Sequence, residues 1–245
     1  MKKNSEENLY IIIPAYNEEE NIEMVARDWH KVVEKVGQNS KLVIINDGSK
    51  DNTYKKLLKL KKELKQLEPL TKENGGHGDT LLFGYRYAIE QGAKYIFQTD
   101  SDGQTLSSEF EEFWKNRKKY SVILGNRVKR EDGKSRKFVE NTLCFILKLI
   151  FHVNIPDANA PYRLMNSKTV EKYLDIMPEH YNLPNVILST CFKYYNEKIK
   201  FIPITFRPRQ GGVNSINVKK IVKIGWKALD DFRLIKKEMK KRKNK

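Results

Sequence analysis

Short apolar runs alternate with longer amphipathic segments along the first half of this chain, and that alternation limits the fold more than any single motif. Residues 9–14 (LYIIIP), 41–47 (KLVIIND), 95–99 (YIFQT) and 121–125 (SVILG) are rich in β-branched and aromatic residues. Near-continuous apolar runs of this length suit strands buried on both faces. Between them, residues 18–36, a segment capped by Ser49 or Asp51 and running to Leu67, residues 80–91 and residues 108–118 carry a helical pattern. Strands alternating with helices of this size predict an α/β fold, a mostly parallel sheet wrapped on both faces. PLTK reads as a short lead into the Gly-rich NGGHGD. Beyond Gly125 the pattern loosens. NRVKREDGKSRK reads as a basic loop, 138–151 as an apolar helix, 198–206 as a late strand, RPRQGGVNSIN as a loop, and Val218 onward as helix. The expected organisation is one domain over 1–217 and a basic amphipathic C-terminal helix over 218–245.

In open parallel sheets, ligands bind where loops converge at the carboxyl ends of the strands. Three predicted strands run into acid-bearing loops there: PAYNEEE, NDGSKDNT and DSDGQ. Asp47, Asp100 and Asp102 are therefore expected on one rim. Two carboxylates one residue apart repel unless solvent or a cation lies between them. DSDG thus reads either as a polar turn or as a divalent-metal site. Mg2+ needs only one or two carboxylates, with phosphate oxygens and waters completing its shell. Asp100, Asp102 and Gln104 offer oxygens at alternating positions, and Mg2+ or Mn2+ there would neutralise a diphosphate and help it leave. Asp47 is expected to accept a hydrogen bond from a base or ribose. A phosphate-cradling G-x-x-x-x-G-K-[ST] is absent, and GGHG is not G-x-G-x-x-G.

The formal net charge of +16 asks for a partner, and it is unevenly spread. Residues 218–245 hold twelve Lys/Arg against three Asp/Glu, a net of +9. Val218, Ile221, Val222, Gly225, Leu229 and Phe232 share one helical face there, beside Trp226. Such a helix either lies on an anionic membrane surface or packs on the core with a solvated lysine face. Residues 138–151 are open to the same two readings. A nucleic-acid partner is not expected, because the charge gathers in a tail while the rim is acidic. No run approaches the ~18 apolar residues of a spanning helix, and the N-terminus lacks the pattern of a secretory signal. Cys144 and Cys191 lie far apart in apolar segments, as reduced cytoplasmic thiols do. The expected location is the cytoplasm, peripheral on the inner membrane face.

IIIPAYNEEENI, VIINDGSKDNT, YIFQTDSDGQ, GNR, DANAPYRLM and RQGGVNS occur in that order. In this order they resemble family 2 glycosyltransferases of the GT-A fold, nearest to the dolichol-phosphate mannose synthase-like, polyprenol-phosphate branch, over roughly residues 9–217. The resemblance implies that Pro14, Tyr16 and Glu18 contact the nucleoside and that Ile45 and Asp47 form the second nucleotide-binding loop. It makes Asp100-Ser101-Asp102 the D-x-D motif and Gln104 a third metal-side ligand. Arg127 and Arg209 would bind phosphate or donor sugar and stabilise the leaving diphosphate. Asp157 and Arg163 would stand on the acceptor side, with Asp157 the remaining candidate base. His77 would be a structural or donor-side contact.

Three departures bear on this. Asn46 replaces a frequent second aspartate, and RQGGVNSIN lacks a lysine after the serine, leaving phosphate to Arg209 or to Arg207 besides. Where relatives that glycosylate hydroxyls carry an acidic pair, this chain has Asn182 and Asn185, with Glu179 nearby. A sugar hydroxyl needs a base, whereas a polyprenyl phosphate is already an anion. The implied activity is a metal-dependent, inverting transfer of a hexose from a nucleotide-diphosphate sugar to a polyprenyl phosphate. A glycan or glycolipid hydroxyl is the alternative acceptor, and a noncatalytic or nucleic-acid-binding protein is the reading from another class. Donor sugar, nucleotide and oligomeric state are not encoded in any motif.

Overall fold

Strand pairing explains how the apolar runs are used. In the computed structural model, seven strands form one sheet in the order β3-β2-β1-β4-β6-β5-β7. They are β1 (Leu9–Ala15), β2 (Lys41–Asp47), β3 (Leu67–Lys72), β4 (Tyr95–Thr99), β5 (Val122–Arg130), β6 (Tyr162–Asn166) and β7 (Ile199–Phe206). The structure describes residues 7–130, 134–178, 180–211 and 218–243, with backbone alone for 129–130, 134–136 and 218–229. β6 runs antiparallel to β4 and β5, and the remaining pairs are parallel. After β1 the chain steps outward to β2 and β3, then returns to place β4 on β1's other side. That reversal leaves a crevice beyond the carboxyl ends of β1 and β4, where open α/β sheets bind ligands.

Alternation along the strands feeds two cores. Tyr10, Ile12, Val43, Ile45, Ile96 and Leu124 face one side, while Leu9, Ile11, Ile13, Leu42, Ile44, Phe97 and Ile123 face the other. The first layer holds α3 (His77–Glu90), α5 (Lys134–Phe151), α6 (Ser167–Leu174) and α7 (Pro184–Tyr194), with the end of α8 (Val218–Lys243). The second holds α1 (Ile22–Val36), α2 (Thr53–Leu60) and α4 (Phe110–Asn116). Gly84 lets α3 lie close on the sheet: a Cβ there would stand 2.4 Å from Ile12 Cγ2.

Several local expectations change. The second helix stops at Leu60 rather than Leu67, and LEPLTK is a strand, not a lead-in. β3 sits at the sheet edge, where Pro69 is tolerated because an edge strand can forgo a ladder donor. The segment read as a basic loop begins as strand: β5 continues to Arg130 because β7 pairs with it, across one register shift between Arg127 and Lys129. β6 and α6 lay unread within the segment after the apolar helix.

The C-terminal helix joins the body in its second half. Phe232, Ile235 and Met239 are buried in the first core, and Phe232 meets Phe151 edge-on at 5.9 Å. Tyr195 Oη also donates to the Met239 carbonyl at 2.9 Å. Residue 218 therefore does not begin a separately packed unit, and Phe232 faces the core rather than a membrane. The side chains of Val218, Ile221, Val222, Gly225, Trp226 and Leu229 lie outside the described residues. Among the described residues, no helix is long and apolar enough to cross a membrane.

Candidate active site

The loops after β1 and β2 are stapled to each other. Asn17 N donates to Ser49 Oγ at 3.0 Å, Lys50 N to Asn17 Oδ1 at 2.9 Å, and Glu18 N to Thr53 Oγ1 at 2.8 Å. This makes a preformed floor at the mouth of the crevice, with Tyr16 exposed on it. Pro14 and Ile45 differ from expectation, since both are buried in their strands. The Ile45 side chain packs beneath α3 in the core, so it supports the floor instead of touching a ligand. Asp47 is also committed. Its carboxylate accepts from Gly75 N and Gly76 N, both at 2.9 Å, and pairs with Lys72 Nζ at 2.9 Å. It anchors the Gly-rich loop, where the sequence had placed it on a base or ribose. Lys72 pairs in turn with Asp79, which binds His180.

Beyond β4 the chain turns sharply through Asp100, Ser101 and Asp102. Gly103 makes the turn at φ +72°, and a Cβ there would approach Gln210 Cγ to 2.9 Å. Behind Asp100 runs a buried chain of hydrogen bonds, each donating toward it. Tyr85 Oη donates to Asn185 Oδ1 at 2.9 Å, Asn185 Nδ2 to Gln98 Oε1 at 3.0 Å, and Gln98 Nε2 to Asp100 Oδ1 at 3.1 Å. Sequence reasoning missed Gln98 and Tyr85; Gln98, a buried polar residue inside an apolar strand, was the available signal. Asn185, where a base would otherwise stand, is buried and belongs to this chain. Ser101 is buried beneath the turn. His77 Nε2 lies 4.0 Å from Asp100 Oδ1.

Asp102 Oδ1 accepts from Gln104 N at 3.1 Å, and its other oxygen lies 3.8 Å from Arg209 Nη1. Arg209 also pairs with Glu18 and donates to the Gly211 carbonyl, so it ties the β1 loop to the D-x-D turn. The side-chain Nε2 of Gln104 donates to the Arg207 carbonyl at 2.8 Å. That bond closes the turn onto the end of β7 and uses the Nε2 of Gln104, not the Oε1 that a metal would take. Arg207 itself donates to the Gly103 carbonyl. Residues 212–217 and Glu179 lie outside the described residues.

Electrostatics single out the two aspartates. Burial pushes Asp100 up to about 7, with Glu18 adding to the rise and Arg127 opposing it. Burial, then repulsion from Asp100, pushes Asp102 up to about 6. The surrounding cations therefore do not cancel the charge of this pair. Such a pair fits a hard divalent cation completed by phosphate oxygens and water. Among the described residues, no three His, Cys, Asp or Glu converge into a closed metal cage.

Arg127 and Asp157, which the resemblance sets on the donor phosphate and on the acceptor side, meet each other. Arg127 Nε and Nη2 both reach the Asp157 carboxylate at 2.7 Å, a bidentate buried pair, and Nη2 lies 3.3 Å from Glu140 on α5. Burial works against charge on Asp157, yet Arg127 holds its carboxyl below the usual range. Glu140 is pushed the other way, by burial and by Asp157. Arg163 departs furthest from expectation. It is fully buried, and its guanidinium donates to the carbonyls of Ala158, Ala160 and Asn185 and to Ser189 Oγ. With no exposed face, it buttresses the wall of the site and cannot contact an acceptor.

Known proteins resemble this chain in sequence and in fold. The profile of Glycosyl transferase family 2 matches residues 10–174. An uncharacterized glycosyltransferase of Synechocystis sp. is 24% identical over 230 residues, 93% of this chain and 70% of that protein. The UDP-N-acetylglucosamine–dolichyl-phosphate N-acetylglucosaminyltransferase of Methanococcus voltae is 30% identical over 138 residues, 49% of this chain and 52% of that protein. The dolichyl-phosphate beta-glucosyltransferase of Trichomonas vaginalis is 25% identical over 66% of this chain and 54% of its own length. The chain thus spans about half the length of these two relatives. The fold matches glucosyl-3-phosphoglycerate synthase from Mycobacterium tuberculosis, crystallised with Mn2+, UDP-glucose and phosphoglyceric acid. The TM-score is 0.68 at 12% identity, covering 92% of this chain and 80% of that one. S. aureus TarS with UDP-GlcNAc superposes at TM-score 0.60 and 17% identity, covering 89% and 64%. With the family profile matched across most of its sheet and the D-x-D turn at the switch point, the chain belongs to glycosyl transferase family 2.

Proposed function

We propose that this glycosyltransferase moves a hexose from a nucleoside-diphosphate sugar to a polyprenyl phosphate, with inversion. The observation that carries the acceptor class is the state of the acceptor-side acids. Asp157 is locked in a bidentate pair that makes it a poor proton acceptor, and Asn185 is a buried amide. An acceptor hydroxyl would need a base to take its proton, whereas a phosphate monoester attacks as the anion it already is. The dolichyl-phosphate relatives support the same class.

The nucleoside would lie on the floor made by the β1 and β2 loops, against Tyr16. Asp100 and Asp102 would hold Mg2+ or Mn2+, which when bound supplies positive charge to the leaving diphosphate. Arg209, poised between Glu18 and Asp102, can turn its guanidinium to the same charge. Arg127 acts at a distance, since it is already engaged with Asp157 and Glu140. A phosphate oxygen then attacks the anomeric carbon opposite the diphosphate, the sugar–diphosphate bond breaks, and no proton is transferred.

The test is nucleoside diphosphate release by purified protein with Mn2+, a panel of nucleotide sugars, and a short-chain polyprenyl phosphate present or absent. Release that needs both the lipid phosphate and Asp102 supports the reading and names the donor. Release that needs Asp102 but not the lipid overturns the acceptor class in favour of water or a glycan. Failure to bind any nucleotide sugar overturns the donor reading as well.

A further inference from the structure

α5 has an apolar outer face as well as an apolar inner one. Glu140, Cys144, Leu147 and Phe151 turn inward: Glu140 reaches the Arg127 pair and Ala158 N, while Leu147 and Phe151 enter the core. At 3.6 residues per turn, Phe138, Phe145 and Leu149 fall within about 40° of one another on the opposite side. There Phe138 is 72% exposed, and Phe145 and Leu149 are each 59% exposed. Three large apolar side chains aligned in water mark a surface that meets something.

The charges around the stripe identify the occupant. Lys137 and Lys148 are exposed on α5, and its first turn has no acid but carries Lys134 and Arg136 in sequence. The neighbouring α8 adds less: its Arg233 pairs with Asp230, and Arg242 and Lys243 lie at Lys172 and Tyr194, so the flanking charge rests on the lysines of α5 itself. A second copy would bring together two chains of formal charge +16. An anionic lipid surface accepts the apolar stripe and attracts the flanking cations.

We propose that the outer face of α5 is the membrane-contact surface of this protein, with anionic lipid as its partner. Of the two helices whose sequence is open to this reading, the contact falls on the one whose inner face touches the active site. Which way the site then faces the bilayer rests on the polyprenyl-phosphate reading; the contact itself does not.

Co-sedimentation with phosphatidylglycerol-containing and pure phosphatidylcholine vesicles tests it without donor or acceptor. The wild-type chain should bind the anionic vesicles, less so in high salt, and the neutral ones weakly. Phe145→Ser should lower partitioning about tenfold, and Phe138→Ser with Phe145→Ser about a hundredfold, as expected for withdrawing buried aromatic rings. The melting temperature should hold, since these side chains touch water. Wild-type protein that ignores anionic vesicles, or variants that bind them equally well, would overturn the proposal. A lipid-free dimer that Phe145→Ser converts to monomer would also overturn it, assigning the face to a second copy. Vesicle binding without lipid-dependent turnover would leave this inference standing and count against the acceptor reading alone.

Discussion

At the scale of single residues, the D-x-D pair trades stability for function. Asp100 and Asp102 have folded-state pKa values of about 7 and about 6, above the ordinary carboxylate value of 3.8. Between about pH 4 and 7 the folded chain therefore binds more protons than the unfolded one at these sites. Their contribution to stability falls as pH rises through that window. Denaturant unfolding in chelator should show this fall, and Asp102→Asn should flatten it while raising stability at pH 8 by on the order of 1 kcal/mol. The same substitution should cost turnover about a hundredfold or more, because it removes a carboxylate that would hold the cation facing the leaving diphosphate. Mn2+ requires the ionised carboxylates, so calorimetric titration should show its affinity weakening as pH falls from about 8 to about 6.

At the scale of elements, one guanidinium joins β5, α5 and the turn before β6. Arg127 pairs with Asp157 thirty residues away and with Glu140 thirteen away, all three largely buried. Arg127→Ala leaves the Asp157 carboxylate buried without its cation and should destabilise the fold by about 3–5 kcal/mol in denaturant melts. Glu140→Gln should cost less than about 1 kcal/mol, since burial already favours the neutral acid. If both variants proved equally damaging, the triad would not be organised around the arginine. The resemblance sets Arg127 on the donor phosphate and Asp157 on the acceptor side, whereas the structure joins the two. That each neutralises the other was not legible, because no local pattern encodes a contact across thirty residues.

At the scale of the whole molecule, the end of α8 belongs to the catalytic domain. Phe232→Ala removes a ring packed against Phe151 and should lower stability by about 3–5 kcal/mol. It should leave vesicle binding by the remaining folded protein unchanged, and thermal melts with vesicle sedimentation measure both. Loss of binding with full stability would instead place Phe232 at the lipid surface.

The order of apolar runs and acid-bearing loops was enough to determine the α/β architecture, the rim and the D-x-D turn, because strand burial and turn chemistry are written in neighbouring residues. β3 escaped notice since an edge strand needs less apolar sequence, and β6 since a short run after a turn carries little periodicity. The tertiary structure alone decided how the charged residues are spent. Asp47 holds a glycine loop, Arg163 ties carbonyls together, and Gln104 turns to β7. A buried polar group must find partners wherever the fold brings them, and those partners lie far away in sequence. The outer face of α5 obeys the same logic in reverse: its sequence is open to a membrane surface or to the core, and only the packed molecule shows that the core ends on the other side of the helix.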